Sequence, residues 1–179
     1  MPRVSASFWR DANNVPIADD GVMVSKAITL SGNNTTVATP IFRLTGSVEV
    51  RALYGVVTTT LGSAHTAAYW RLNDQTAQAA ISLATGTALS NATVGSVITR
   101  RSLVSVALVF VSAAAGAVSD PVAATAPSYF MPFTVTQKTG AVQTDIEYVY
   151  TTTNTPTTGA ITFYCRYIPL SEDAELVAV

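Results

Sequence analysis

Apolar and polar residues alternate along most of this chain with a period of two, and residues 48–58 show the pattern most clearly. Glu49 and Arg51 fall on one side of the alternation. Five apolar or aromatic positions fall on the other side: Val48, Val50, Ala52, Tyr54 and Val56. Because successive side chains of a strand point to opposite faces, the pattern predicts a strand whose Val48-to-Val56 side faces the core.

The same reasoning predicts nine strands, separated by turns rich in Gly, Asn, Asp, Pro and Thr. They cover residues 22–30, 36–44, 48–58, 66–72, 77–83, 103–111, 130–137, 145–151 and 161–168. Pro40 cannot donate a ladder hydrogen bond, so the second strand is expected to be an edge strand or to contain a bulge. Short strands at regular spacing without an amphipathic helix predict an all-β protein. We expect a jelly-roll-like antiparallel β-sandwich of about eight or nine strands.

Two terminal segments differ from this body. Residues 1–20 lack a strand pattern and are expected to form an extended N-terminal arm, with Phe8 and Trp9 as its anchors. Residues 21–170 form the predicted sandwich domain. Residues 171–179 form a C-terminal tail, which is expected either to make one helical turn with Ser171 as N-cap or to extend to a neighbour.

The run RRSLVSVALVFVSAAAGAVSD, residues 100–120, has the parts of a signal peptide but lies far from the N-terminus, where no apolar run occurs. As a helix its apolar part would span roughly 24 Å, short of the ~30 Å hydrocarbon core of a membrane. Its valine content favours a strand at 103–111. Both faces of that strand are apolar, so we expect it to be covered on both sides, and we expect neither an export signal nor a membrane span.

The composition restricts the partners. Charged residues make up 12% of the chain, about half of the usual ~25%, so part of the surface is expected to lie against a larger particle. A net charge of -1, with Lys26 and Lys138 as the only lysines, argues against nucleic-acid binding. Cys165 is the single cysteine and is expected to be a small core residue.

Candidate catalytic and metal-binding residues are few. His65 is the only histidine; it lies in a predicted Gly-Ser-Ala loop without a nucleophile motif and is expected to be structural or solvent-exposed. One histidine and one cysteine cannot make a zinc site, and Asp19-Asp20-Gly21 is expected to be a turn rather than a calcium site. Asp145 and Glu147 are expected on the outward face of a strand, where only their spacing favours a glycosidase pair. We therefore expect no enzyme activity, no catalytic residues, no cofactor and no metal.

Aromatic residues are the best candidates for an interaction site. Tyr148, Tyr150 and Tyr164 are predicted to contribute to a surface for protein or sugar, with the core as the alternative for each. Trp70 is expected in the core. In the arm, Phe8 and Trp9 next to Arg10 are predicted to insert into a partner.

Two stretches carry a resemblance to a known group of proteins. They are GVVTTTLGSAHTAAYWRLNDQTAQAAISLATGTALS and IEYVYTTTNTPTTGAITFYCRYIPLSEDAELVAV. They resemble small structural proteins of tailed bacteriophages and prophages, and most of all the β-rich capsid decoration, or cement, proteins.

The resemblance implies a virion protein without catalytic residues. It would be made in the host cytoplasm and would bind the major capsid protein on the outer surface of the capsid as a homo-oligomer, expected to be a trimer. The alternative is a tail or fibre-associated structural protein, including a glycan-binding one.

Overall fold

The fold is all-β, as the alternation predicts. The computed structural model describes residues 21–62, 65–85, 89–100, 109–111, 132–140, 143–153 and 156–179. Within these residues there are eleven strands and no helix. The strands are β1 (Val22–Thr29), β2 (Thr36–Thr45), β3 (Ser47–Thr59), β4 (His65–Asn73), β5 (Gln78–Ala80), β6 (Val97–Thr99), β7 (Val109–Val111), β8 (Phe133–Thr136), β9 (Asp145–Thr152), β10 (Ala160–Pro169) and β11 (Glu175–Ala178).

The strands form two antiparallel sheets with jelly-roll connectivity. The six-stranded sheet has the order β1-β10-β3-β6-β7, with β8 also paired to β3, and the five-stranded sheet has the order β11-β2-β9-β4-β5. If β7, β8 and β11 are set aside, each sheet has four strands, in the orders β1-β10-β3-β6 and β2-β9-β4-β5. The chain passes back and forth between these two four-stranded layers. Two such interleaved layers are the arrangement of a jelly roll, so the predicted fold class is confirmed.

Beyond this eight-stranded frame, β7 and β8 extend the six-stranded sheet and β11 extends the five-stranded one. β11 pairs with β2, with Leu176 opposite Leu44, and Leu176 is buried. The predicted helical turn in the C-terminal tail is therefore wrong for residues 175–178. An alternating apolar pattern beside an open sheet edge gains more as a strand than as one isolated turn.

The core between the sheets contains the largest apolar side chains. Trp70, Tyr148, Tyr150, Phe42 and Phe163 are the largest of the fully buried ones. The burial of Trp70 confirms its predicted place. Cys165 is also fully buried, which raises the pKa of its thiol and makes it a core residue, as expected.

One glycine is required by this packing. Gly55 of β3 lies opposite Phe163 of β10, and a Cβ atom at residue 55 would come within 2.8 Å of the Phe163 ring. A larger residue at this position would therefore force β3 or the side chains of Phe163 and Ile161 to shift.

Bulges in β2 and β3 change which residues face the core. In β2 the pairing with β9 shifts between Pro40 and Phe42, which confirms the bulge alternative, although β2 lies between β11 and β9. In β3, Ala52 lies opposite Arg166 while Val50 lies opposite Tyr167, so Arg51 is an extra residue.

The β3 bulge reverses the inside and outside positions of the rest of the strand. Val48 and Val50 face the core as predicted, but the prediction for Ala52, Tyr54 and Val56 is wrong. Leu53, Gly55 and Val57 are buried in their place.

The valine-rich run is described only in part. Val109–Val111 form β7, which pairs with β6, so these residues are in a strand. Residues 101–108 and the arm, residues 1–20, lie outside the described residues. Among those that are described, no helix is long and apolar enough to span a membrane.

Candidate functional site

The outward face of the six-stranded sheet carries two neighbouring rows of uncharged residues. Antiparallel partners point to the same face of a sheet, so the register defines each row. The first row contains Ser25, Tyr164, Tyr54 and Thr99. The second contains Ala27, Thr162, Val56 and Val97. We call these eight residues the outer patch.

A pair of tyrosines forms the ridge of the outer patch. Tyr54 and Tyr164 lie directly opposite each other, with ring centroids 5.1 Å apart and ring planes 17° from parallel. Both rings are half-buried. The neighbouring row has only short side chains at the same strands, so a raised row lies beside a low one.

Lys26 lies between Ser25 and Ala27 on β1, but it shares the core-facing row of Phe163. On the outward face, the nearest charged residues among those described lie beyond the two patch rows. Arg166 follows Tyr164 on β10, in the row with Ala52. Further along β3, Arg51 pairs with Glu49 at 2.5 Å, and both side chains are partly exposed. The middle of this face therefore offers apolar and hydroxyl groups to a partner but no net charge.

The outward face of the five-stranded sheet has the opposite character. Arg43 and Asp145 are direct partners across β2 and β9, and Arg71 and Glu147 are direct partners across β4 and β9. Arg43 donates to both oxygens of Asp145, at 2.9 Å from Nε and 3.2 Å from Nη2. Arg71 Nε donates to Glu147 Oε2 at 2.6 Å. We call these four residues the ion-pair network.

Neutral side chains complete the network. Asn73 Nδ2 donates to Glu147 Oε1 at 2.8 Å, and Gln143 Nε2 donates to Asp145 Oδ2 at 3.2 Å. Both carboxylates are buried, with 2% of Asp145 and 6% of Glu147 exposed. The hydrogen bond to Asp145 raises the pKa of Arg43 above its usual range. Both carboxylates accept hydrogen bonds from charged donors on neighbouring strands, so the network links β9 to β2 and to β4.

His65 lies in the core and not in a loop. It is the first residue of β4 and is completely buried. Its Nε2 lies 2.7 Å from Tyr148 Oη, and its ring stacks on Tyr150 with centroids 4.7 Å apart. Burial lowers its pKa to about 4. The expectation of a loop position is therefore wrong, because Thr152 of β9 pairs with His65 and extends the ladder by one residue.

The predicted interaction residues separate into three groups. Tyr148 and Tyr150 are 0% and 1% exposed, so their predicted place on a contact surface is wrong, and the core alternative is correct. Tyr164 lies on the outer patch, where its role in binding stays a prediction. Phe8, Trp9 and Arg10 lie outside the described residues.

The alternation in β9 indicates that Tyr148 and Tyr150 are buried. Asp145 and Glu147 occupy the odd positions of β9, so the even positions, with Ile146, belong to the more apolar side. Burial of a tyrosine also needs a partner for its hydroxyl. Tyr150 finds one in Ser31, whose carbonyl accepts at 3.0 Å and whose amide donates at 3.1 Å.

Among the described residues, no group of three or more His, Cys, Asp or Glu side chains could hold a metal ion. Asp19 and Asp20 are outside this part of the chain. Comparisons of the chain with protein-family models, with curated proteins and with solved structures find no match.

Proposed function

We propose that this protein is a virion structural protein that acts by binding and not by catalysis, as a decoration protein on the outside of a phage head. The observation that carries the proposal is the outer patch, an uncharged sheet face with a stacked tyrosine pair at its centre. Tyrosines in the middle of an uncharged surface are typical of the centre of a protein interface.

The fold and the composition support the same proposal. Jelly rolls occur in viral capsid proteins as well as in lectins and cupins, so the fold is compatible with a shell component but does not select one. A chain with 12% charged residues gains solubility when part of its surface is covered by a partner. The bacteriophage resemblance of the two sequence stretches implies two such partners, the major capsid protein and further copies of this chain.

The tyrosine pair favours a protein over a sugar as partner of the patch. A sugar ring that binds an aromatic side chain needs a free ring face. In the Tyr54–Tyr164 pair one face of each ring is already occupied by the other ring. The pair offers a partner ring edges, hydroxyl groups and at most one face of each ring, a mixed surface that suits the side chains and backbone of a protein.

The mechanism would be thermodynamic linkage. A protein that binds only the assembled lattice lowers the free energy of that lattice and raises the temperature or internal pressure at which it fails. Each occupied site contributes its own term, so the stabilisation adds up over the many identical sites of one shell. In this proposal the arm, residues 1–20, provides the contact to the shell through Phe8, Trp9 and Arg10.

The first experiment determines where the protein is located in the virion. Quantitative mass spectrometry and cryo-EM of the virion should find hundreds of copies on the head. Tens of copies or fewer at the tail would overturn the head assignment and favour the tail or fibre alternative.

The second experiment tests the arm. Replacing Phe8 and Trp9 by Ala should weaken attachment to heads that lack the protein by tenfold or more, about 1.4 kcal/mol. Replacing Ser5 and Ser7 by Ala in the same segment should leave attachment unchanged. A lower melting temperature with intact attachment would show instead that these aromatics belong to the folded core.

A further inference from the structure

The outer patch places a row with two large side chains next to a row of short ones, an arrangement that a second copy of the patch can match. The ridge of Tyr54 and Tyr164 lies next to the low row that holds Val56 and Thr162, two residues away on the same strands. A two-fold axis between the rows and parallel to them would place the ridge of each copy over the low row of the other. Residues two apart on a strand are about 6.8 Å apart, which is enough for an aromatic ring to lie beside a shorter side chain.

The charges are also compatible with self-association. The eight residues of the patch carry no charge, so two copies meet there without like-charge repulsion. Under the same two-fold axis, Arg166 of each copy lies over the row that contains Ala160 and Thr29 of the other copy, and the two arginines do not meet. The ion-pair network is on the opposite side of the sandwich.

We propose that the outer patch binds the outer patch of a second copy of this chain, with Tyr54 of each copy against Val56 of the other. This inference deepens the proposed function, because it rests on the patch being a protein contact and names the partner. Two sheets that pack face to face with nearly aligned strands are a common arrangement in proteins. A two-fold contact predicts a dimer, which differs from the trimer that the resemblance implies.

The small size of the contact is typical of weak association. The two rows of the patch across four strands, with one further row on either side across β1, β10 and β3, cover roughly 450 Å² per copy at spacings of about 6.8 Å and about 4.8 Å. Stable complexes bury about 800 Å² per partner, so we expect self-association in the micromolar range. Sedimentation equilibrium between about 1 and 300 µM covers this range.

Two single substitutions test the register of the contact. Val56→Lys puts a charge in the low row, and Tyr54→Glu puts the opposite charge in the ridge. Each variant alone should associate at least tenfold more weakly than the wild type. Thr66→Lys on the outward face of the other sheet is the matched control and should leave association unchanged.

A mixture of the two variants gives the sharper result. In a mixed dimer the lysine introduced by Val56→Lys in one copy faces the glutamate introduced by Tyr54→Glu in the other, while the second Tyr54–Val56 contact is intact. Native mass spectrometry of the equimolar mixture should therefore show more mixed dimer than either variant forms alone. Circular dichroism melting of each variant checks that it is folded.

Several outcomes would overturn the inference. A monomeric wild type at the highest concentration, or a trimer in which Val56→Lys has no effect, would show that the patch does not bind itself. A monomer that loses attachment to heads on Val56→Lys would assign the patch to the shell protein. In that case the decoration function would stand while the self-association failed. If the protein self-associates through the patch but does not bind to heads, the self-association would stand and the decoration function would fail.

Discussion

The outward faces of the two sheets differ in polarity: one carries a network of ion pairs and the other is uncharged in its middle rows. On the five-stranded sheet, two arginines and two carboxylates lie opposite one another on neighbouring strands, and Asn73 and Gln143 donate further hydrogen bonds to the carboxylates. On the six-stranded sheet, two full rows have no charge and carry a stacked tyrosine pair. Both faces belong to the same sandwich, and so the difference is one of side chains and not of backbone architecture.

This difference bears on which face can bind a partner. A partner on the ion-pair network would have to remove water from groups that already satisfy each other, and it would gain little in return. A partner on the outer patch would bury tyrosine and valine surface at about 25 cal/mol per Å², with few polar groups to desolvate. We therefore expect a partner to bind the six-stranded sheet, while the ion-pair network stabilises the five-stranded sheet of the same molecule.

The largest expected effect tests the difference between the two arginine–glutamate pairs. Arg71→Met leaves Glu147 buried without its charged partner and should lower the free energy of unfolding by about 3 kcal/mol. Arg51→Met is the matched change on the other sheet, where Arg51 and Glu49 are 44% and 28% exposed, and it should cost less than about 1 kcal/mol. Urea unfolding at neutral pH measures both. If both substitutions lowered the free energy of unfolding equally, the ion-pair network would not contribute more to stability than an exposed ion pair.

The next effect concerns the core between the two faces. The pKa of His65 is about 4 in the folded protein and about 6.5 when unfolded, so the unfolded chain takes up a proton first as the pH falls. The contribution of neutral His65 is fully present above pH 6.5 and is lost progressively as the pH falls from there towards 4. From about pH 7 to about pH 5 the free energy of unfolding should fall by about 2 kcal/mol.

A control separates His65 from the other titrating groups. His65→Asn should lower stability at pH 7, because the contact with Tyr148 is changed, but it should remove the slope between about pH 5 and pH 7. The same slope in the variant would assign it to another group. Urea unfolding at several pH values gives both quantities.

The smallest expected effect belongs to the outer patch. A double-mutant cycle of Tyr54→Ala and Tyr164→Ala should give a coupling energy of about 1 kcal/mol at concentrations where the protein is monomeric. A second cycle at concentrations where copies associate should give a larger value, since the ridge then also contacts the second copy. Identical values in both cycles would mean that the tyrosines stabilise only their own sheet.

Sequence patterns predicted the fold more successfully than the candidate site. Alternation and turn residues were enough for an all-β sandwich, for most strand positions and for the burial of Trp70 and Cys165, because each of these depends on local periodicity and hydrophobicity. The pattern alone does not separate a surface position from a core position for the tyrosines of β9, because a tyrosine is compatible with both environments. Its hydroxyl partner, Ser31 for Tyr150, is 119 residues away in the chain and is not visible in a local pattern.

The sequence by itself determined that this chain forms strands, that few charges cover its surface, and that Asp145 and Glu147 share one face of β9. Only the tertiary structure decided what those residues meet. The pairing of β9 with β2 and β4 places Arg43 and Arg71 opposite the two carboxylates. The extra residue at Arg51 moves Tyr54 and Val56 from the core to the outside, and so creates the outer patch. The physical reason is that side chains alternate with a period of two, so a shift of one residue in the pairing of two strands reverses every side chain that follows it.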